Sequence, residues 1–228
     1  MSELVPALLL SLKVTLTATV LAVVPGMMAA WWLGTGKPFR GKSLIETLLT
    51  LPLVLPPTVV GFGLLLLLGR GTAWGQFLQD QLGIQLLFTW QGAAIAAGVM
   101  AFPLFVRTAT AAFASVDEEL LEAGRTLGAT EGRLFLSVLM PLSYRGLLAA
   151  LTLAFARALG EFGATLMVAG SIPGETETLP LALYAAVQGG RDADATLYAL
   201  VLTAVAFVLL GTVSLLGGRV AAARGENG

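Results

Sequence analysis

Histidine and cysteine are both missing from this chain of 228 residues. Without cysteine there can be no disulfide, no thiol nucleophile and no thiolate metal site. Without histidine the commonest general base and the commonest transition-metal ligand are gone. The chain therefore has little with which to catalyse a reaction. Charge is scarce as well: 13 Lys and Arg against 14 Asp and Glu, 12% of the chain, with a net charge of -1. A soluble domain carries about 25% charged residues. No basic run is present that would hold nucleic acid. No Lys or Arg precedes Lys13 and the first apolar run continues to Leu33, so the start reads as an uncleaved transmembrane helix rather than a signal peptide. There is no internal repeat and no pair of inverted halves of the kind many secondary transporters show.

Apolar length is what the chain has in abundance. Hydrophobic residues make up 57% of it, and its mean hydropathy is +0.86. A membrane-crossing helix needs about 20 mainly apolar residues. Five segments qualify: about 7–33, interrupted by Lys13 and Pro25-Gly26; about 44–68, broken by Pro52 and Pro56-Pro57; about 89–112, containing Pro103; about 134–158, containing Pro141; and about 195–217. The expected fold is an all-α membrane protein of about five transmembrane helices, a single domain over residues 1–228. If the helices alternate, nine basic residues fall on one side: Lys37, Arg40, Lys42, Arg107, Arg125, Arg133, Arg145, Arg219 and Arg224. The other side has only Arg70 and Arg191. Basic residues accumulate on the cytoplasmic face. The expected orientation therefore puts the N-terminus outside and the C-terminus inside, with residues 115–141 in the cytoplasm. The outer loops are 69–88 and about 160–194. The second contains an apolar stretch, Leu181–Val187, that reads as re-entrant or interfacial.

Residues 115–141 stand apart by polarity. Asp117, Glu118, Glu119, Glu122, Arg125, Glu131 and Arg133 are seven of the 27 charged residues, set between two long apolar runs. Ser115 followed by Glu118 has the form of a capping box. Val116, Leu120, Ala123, Gly124 and Leu127 fall on one face at helical spacing. Gly128 is placed to stop the helix, and Thr130 to cap a second helix running into Pro141. The spacing predicts a hairpin of two helices with small residues midway along one face. A loop that merely joins two spans needs about two to eight residues. This longer, structured one reads as a docking surface.

The same hairpin resembles the cytoplasmic loop of permease subunits from ATP-binding-cassette importers. Their pattern is E-A-A, three residues, G, nine residues, I, one residue, L-P. Here it runs Glu122-Ala123-Gly124, Gly128, Val138, Met140-Pro141, with Gly for the third position, Val for Ile and Met for Leu. The resemblance extends to LPLVLPPTVVGFGLLLLLGR (51–70) and FARALGEFGATLMVAGSIPGETETLPLALY (155–184), which are similar to molybdate permeases. Sulfate permeases share the architecture, but the run IPGETETLP at 172–180 lies closer to the molybdate branch. The resemblance implies a MetI-like permease architecture in the cell inner membrane, with residues about 116–128 as a coupling helix. It also implies a homodimer with the path between its copies and two ATPase subunits that bind MgATP. An oxyanion-binding protein outside the membrane would complete the assembly, and no cofactor is expected on this chain. Sulfate or tungstate is the alternative cargo. A secondary transporter is the alternative class, for which only Glu161 offers an intramembrane carboxylate.

Candidate path or gate residues are Pro56, Pro57, Arg157, Gly160, Glu161 and Gly163. Prolines within spans break backbone hydrogen bonds, and the density at Pro52–Pro57 points to a flexing element. Arg157 and Glu161, four apart, are each other's obvious partner if the helix continues that far. They form either a structural ion pair or a gate that offers a guanidinium to an oxyanion. Lys13 is expected to snorkel to the interface. Trp31, Trp32, Trp74 and Trp90 are expected to form an aromatic belt. Gly34-Thr35-Gly36-Lys37-Pro38 lacks the spacing of a phosphate loop and reads as a polar turn.

Overall fold

The computed structural model describes residues 3–35 and 40–225, with side-chain surroundings through Thr212. The Gly36–Pro38 part of the expected polar turn, and the side chains of Lys37, Arg219 and Arg224, lie outside the described residues. Every regular element among the described residues is helical. Helix α1 spans Leu4–Thr35 and α5 spans Trp90–Ala114. They pack in parallel along their length through small side chains. Ala18, Ala22, Gly26 and Ala30 on α1 are buried and spaced by four, with Gly34 continuing the row. Ala93, Ala97, Ala101, Phe105, Ala109 and Phe113 form the facing row on α5. A β-carbon added at Gly26 would lie 2.7 Å from the Phe105 ring. One at Gly34 would lie 2.8 Å from Phe113 Cβ and 3.0 Å from the Thr110 carbonyl oxygen. Small residues let the two backbones approach, which is how helices adhere where lipid supplies no hydrophobic contrast.

The expected second span is not one kinked helix. It is two, α2 (Lys42–Val54) and α3 (Pro57–Leu68), meeting at 107°. Leu55 and Pro56 between them are extended, at φ −70°, ψ 144° and φ −53°, ψ 135°. A residue before proline is driven out of the helical region, and two successive prolines impose that twice. Helix α2 buries none of its residues, whereas α3 buries Gly61 and Leu68. After a turn at α4 (Ala73–Gln76), the chain enters α5.

The helices α6 (Glu118–Thr126) and α7 (Glu131–Leu134) follow, then a π turn over Phe135–Leu139 and α8 (Met140–Leu159). Pro141 lies in the first turn of α8. It has no N–H to donate, and the wider turn just before it absorbs that defect. Helix α8 returns antiparallel to α5, Gly146 lying against Ala112.

The segment 160–194, expected as an outer loop, is largely helical. It folds into α9 (Gly163–Ala169) and α10 (Leu179–Gln188), and both are built into the protein. Ala164 and Val168 of α9 join Leu68, Ala96 and Met100 in one apolar cluster. Leu179, Ala182 and Ala186 of α10 join Ala7, Ala195 and Tyr198 in another. Helix α11 (Asp192–Gly225) completes the fold. Among the described residues, four helical stretches are long and apolar enough to cross a membrane, or five if the bent α2–α3 pair is one span. The exposed side chains on them, Leu48, Leu66, Leu200 and Phe207 among others, are those that bilayer hydrocarbon accepts.

Candidate functional site

Two places gather the residues singled out above, one at each end of α8. At 1.5 Å per residue its 20 residues put them about 30 Å apart.

The first is the hairpin. Helix α5 continues to Ala114, and Ser115 closes it, its hydroxyl donating to the Ala112 carbonyl at 2.8 Å. Ser115 is therefore not the cap of α6, and the capping box expected there does not form. Asp117 is the cap instead, and its carboxylate accepts the Glu119 N–H at 3.0 Å. At the far end Gly128 takes φ +80°. The Ala129 N–H then bonds the Gly124 carbonyl at 3.0 Å, and the Gly128 N–H bonds that of Arg125 at 2.9 Å. This paired closure needs a left-handed residue. Thr130 caps α7 by accepting from the Arg133 N–H. Arg125 pairs with Glu131 across the turn at 2.7 Å. That hydrogen bond pushes the Arg125 guanidinium still further above its ordinary range.

The hairpin's two faces differ from the expected division. Leu121 is the buried one, together with Leu134, and Gly124 turns inward against the Leu134 side chain. The small residue lets α6 close onto α7. Leu120 is 49% exposed, Leu127 89% and Leu136 68%, and Glu122 and Ala123 are exposed with them. Val138 and Met140 pack at the edge of the main core while Pro141 is exposed. Phe135 lies 4.8 Å from Trp31 and 5.9 Å from Phe113, centroid to centroid. Trp31 thus fastens the hairpin's base to α1.

The second place is the break between α8 and α9. The helix ends at Leu159, so Arg157 and Glu161 do not share a helix face. Gly160 terminates the helix and Glu161 reaches back across its end. The pair nonetheless forms, Arg157 Nη1 lying 2.6 Å from Glu161 Oε2. The other carboxylate oxygen accepts the Ala164 N–H at 2.8 Å. The Glu161 side chain is 1% exposed and that of Arg157 24%. Gly163 abuts α3: a β-carbon there would lie 3.1 Å from Pro57 Cβ. Five of the six expected gate residues therefore meet at one junction, Pro57 from α3 and Arg157, Gly160, Glu161 and Gly163 from the break. Pro56 stands exposed at the cap of α3. Beneath the junction lie Ser11, Thr15, Thr165 and Thr178, all buried. The Ser11 hydroxyl accepts the Leu179 N–H at 2.6 Å, tying α10 to α1.

The run 171–178 closes on itself. The Ile172 carbonyl accepts the N–H groups of Glu175, Thr176 and Glu177, and Ser171 donates to Glu177 at 3.2 Å. Thr176, Glu177 and Thr178 are buried, which composition alone does not reveal. Lys13 is exposed and sits 3.6 Å over the Trp90 ring, so it has a cation–π partner besides the interface. Trp74 stacks on Phe77 at 5.8 Å. Among the described residues no group of three or more carboxylates gathers as a metal site would require. The α1–α5 row of small residues was missed from sequence. Its signal is spacing by four, hidden in a uniformly apolar background.

Residues 22–224 match the family described as binding-protein-dependent transport system inner membrane component. The chain is 47% identical over 193 residues to the molybdenum transport system permease protein ModB of Escherichia coli K12, covering 84% of each chain. It is 40% identical over 209 residues to the putative molybdenum transport system permease YvgM of Bacillus subtilis, covering 92% of each. The sulfate transport system permease CysT of Salmonella typhimurium is 35% identical over 218 residues, covering 94% of this chain and 78% of that one. Among solved structures, a bacterial ABC transporter that imports alginate superimposes with a TM-score of 0.78 at 15% identity, over 96% of this chain and 80% of that one. The methionine ABC transporter MetNI, in an inward-facing form, gives 0.76 at 19%, over 96% and 97%. These two show the fold alone, and it is the MetI-like one.

Proposed function

The chain belongs to the family of binding-protein-dependent transport system inner membrane components, and from that premise we propose that it is the membrane subunit of an ATP-driven molybdate importer. The observation that carries the cargo is the 47% identity, over most of both chains, to a permease named for molybdenum transport. Two copies would enclose the path between them. Two ATPase subunits would hold MgATP and hydrolyse it, and a binding protein outside the membrane would deliver the oxyanion. The uneven distribution of basic residues supports a cytoplasmic hairpin and C-terminus, with the N-terminus outside.

The geometry supports a division of labour. Exposed Leu120 and Leu127 on α6 are the contact for the ATPase. The Phe135–Trp31 and Phe135–Phe113 contacts carry a movement of α6 into α1 and α5. Helix α8 runs from there to the Arg157–Glu161 junction. With Glu161 on it, Arg157 is neutralised and the break is held. When α8 and α9 separate, the guanidinium is freed for a tetrahedral oxyanion, which its forked donors suit. ATP-driven closure of the ATPases turns the path outward, and hydrolysis returns it.

The test is reconstitution in proteoliposomes with the ATPase and binding protein that accompany this chain. Molybdate uptake should require ATP and the binding protein. Uptake driven by a proton gradient alone would refute the class. Sulfate is the second reading, favoured by the 35% identity to CysT. Sulfate uptake that excess molybdate leaves unchanged would replace the cargo. One substitution tests the coupling. Gly128→Val puts a β-branched residue at φ +80° and costs roughly 1–2 kcal/mol locally. It is expected to leave the membrane helices folded while stimulated ATP hydrolysis no longer yields uptake. Wild-type uptake per ATP would remove the hairpin from the coupling path.

A further inference from the structure

The ion pair at the break joins it to the end of α8, and one side chain of the break has a different partner. Of residues 161–165 only Phe162 is not buried. Its ring meets that of Tyr184 on α10, with centroids 5.0 Å apart and planes tilted by 54°. Aromatic pairs prefer that range of separation and a tilted or offset arrangement. Tyr184 stands apart on its own helix. Leu179, Leu181, Ala182 and Ala186 of α10 are buried, whereas Tyr184 is 44% exposed. Its hydroxyl is engaged within α10, accepting the Gln188 side-chain amide at 2.8 Å. What it offers Phe162 is therefore the ring. Helix α10 is a firm support for that ring. Its start is tied to α1 by the Leu179–Ser11 hydrogen bond, and its buried side packs with residues of α1 and α11.

We propose that the Phe162–Tyr184 contact is a second hold on the gate, with Tyr184 a positioning residue that acts through Phe162 on the Arg157–Glu161 junction. Glu161 and Phe162 are consecutive, so a movement of the break that takes the carboxylate off Arg157 also moves the Phe162 ring. The ion pair fastens the break to α8, and the rings fasten it to α10. The two contacts open together, and the closed state draws on both. The proposal rests on the reading of the junction as a gate.

The experiment is passive efflux, without ATP, from proteoliposomes that hold the assembled transporter. They are loaded with molybdate and sulfate together, so the result does not depend on which is the cargo. Tyr184→Ala is expected to speed efflux by up to about tenfold over the wild type, the worth of one aromatic contact. Tyr184→Phe keeps the ring and should hold the anions as the wild type does. Loss of assembled transporter would slow efflux, so faster efflux is not what a packing defect alone produces. The double variant Phe162→Ala, Tyr184→Ala should leak no faster than either single variant, because all three remove the same contact. Glu161→Gln in the same assay tests the gate itself and is expected to leak. If it leaks while Tyr184→Ala is as tight as the wild type, the gate stands and Tyr184 has no part in it. If both are tight, the gate reading and this proposal fall together. A leak in Tyr184→Ala with none in Glu161→Gln would overturn action through the junction. A leak in Tyr184→Phe equal to that in Tyr184→Ala would overturn the ring contact as its cause.

Discussion

Glu161→Ala is expected to abolish uptake and to lower the melting temperature of the assembled transporter. The carboxylate is almost fully buried and serves two groups at once, Arg157 at 2.6 Å and the Ala164 N–H at 2.8 Å. Removing one member of a buried ion pair costs about 3–5 kcal/mol, because the other charge is left behind. Arg157 keeps some access to water, so the lower end, about 3 kcal/mol, applies. The orphaned N–H at the start of α9 adds about 1 kcal/mol or more. Against a total stability of roughly 5–15 kcal/mol this is a large loss. Fold and function can be separated by three further variants. Glu161→Gln retains an acceptor for Ala164 while discarding the charge; it should fold and transport poorly. Arg157→Ala alone should impair uptake without preventing ATPase docking. In the double variant Arg157→Ala, Glu161→Ala no charge remains unpaired, so its loss of stability should be smaller than the two single losses summed. Uptake should not recover with it. A double variant with wild-type uptake would reduce the pair to a packing device.

Leu127→Asp is expected to separate the chain from its ATPase while leaving its own fold intact. The side chain is 89% exposed, so the isolated chain should change by no more than about 0.5 kcal/mol. On a docked partner the same leucine is worth about 1.5–3 kcal/mol of burial, and the aspartate adds a charge to be desolvated. A loss near 3 kcal/mol is on the order of a hundredfold in affinity. Co-purification with the ATPase and binding-protein-stimulated hydrolysis should both fail. Leu121→Asp is the contrasting control. Leu121 is buried under the same helix, so that change should reduce the yield of folded protein. Undiminished ATPase association by Leu127→Asp would show that the docking face lies elsewhere.

What could be read from the sequence follows from what each feature costs to hide. Membrane spans announce themselves by length, and those at α1, α5, α8 and α11 lie where the apolar runs put them. The double proline at Pro56-Pro57 announced a break, though not that its halves would diverge by 107°. The hairpin's stop at Gly128 and cap at Thr130 were legible because each depends on one residue's own chemistry. Its start was misplaced by two residues, since Ser115 and Asp117 are both good caps. What chooses between them is how far α5 runs on. The segment 160–194 was the harder case. Helices of 7 and 10 residues are too short to register as spans. The polar run Thr176–Thr178 reads as loop although the fold encloses it. Which leucine of α6 faces inward was equally hidden, because Leu120 and Leu121 are adjacent and only the position of α7 selects one.

The row of small residues joining α1 to α5 has a mechanical consequence. Two rods in backbone contact over several helical turns cannot roll or slide past one another without a collision at Gly26 or Gly34. They behave as a single beam. A permease that rocks must bend somewhere else, and the compliant places are the elements that bury least: α2, which hides no residue of its own, and the proline corner where it meets α3. Stiffness in one pair of helices thus decides where the motion goes.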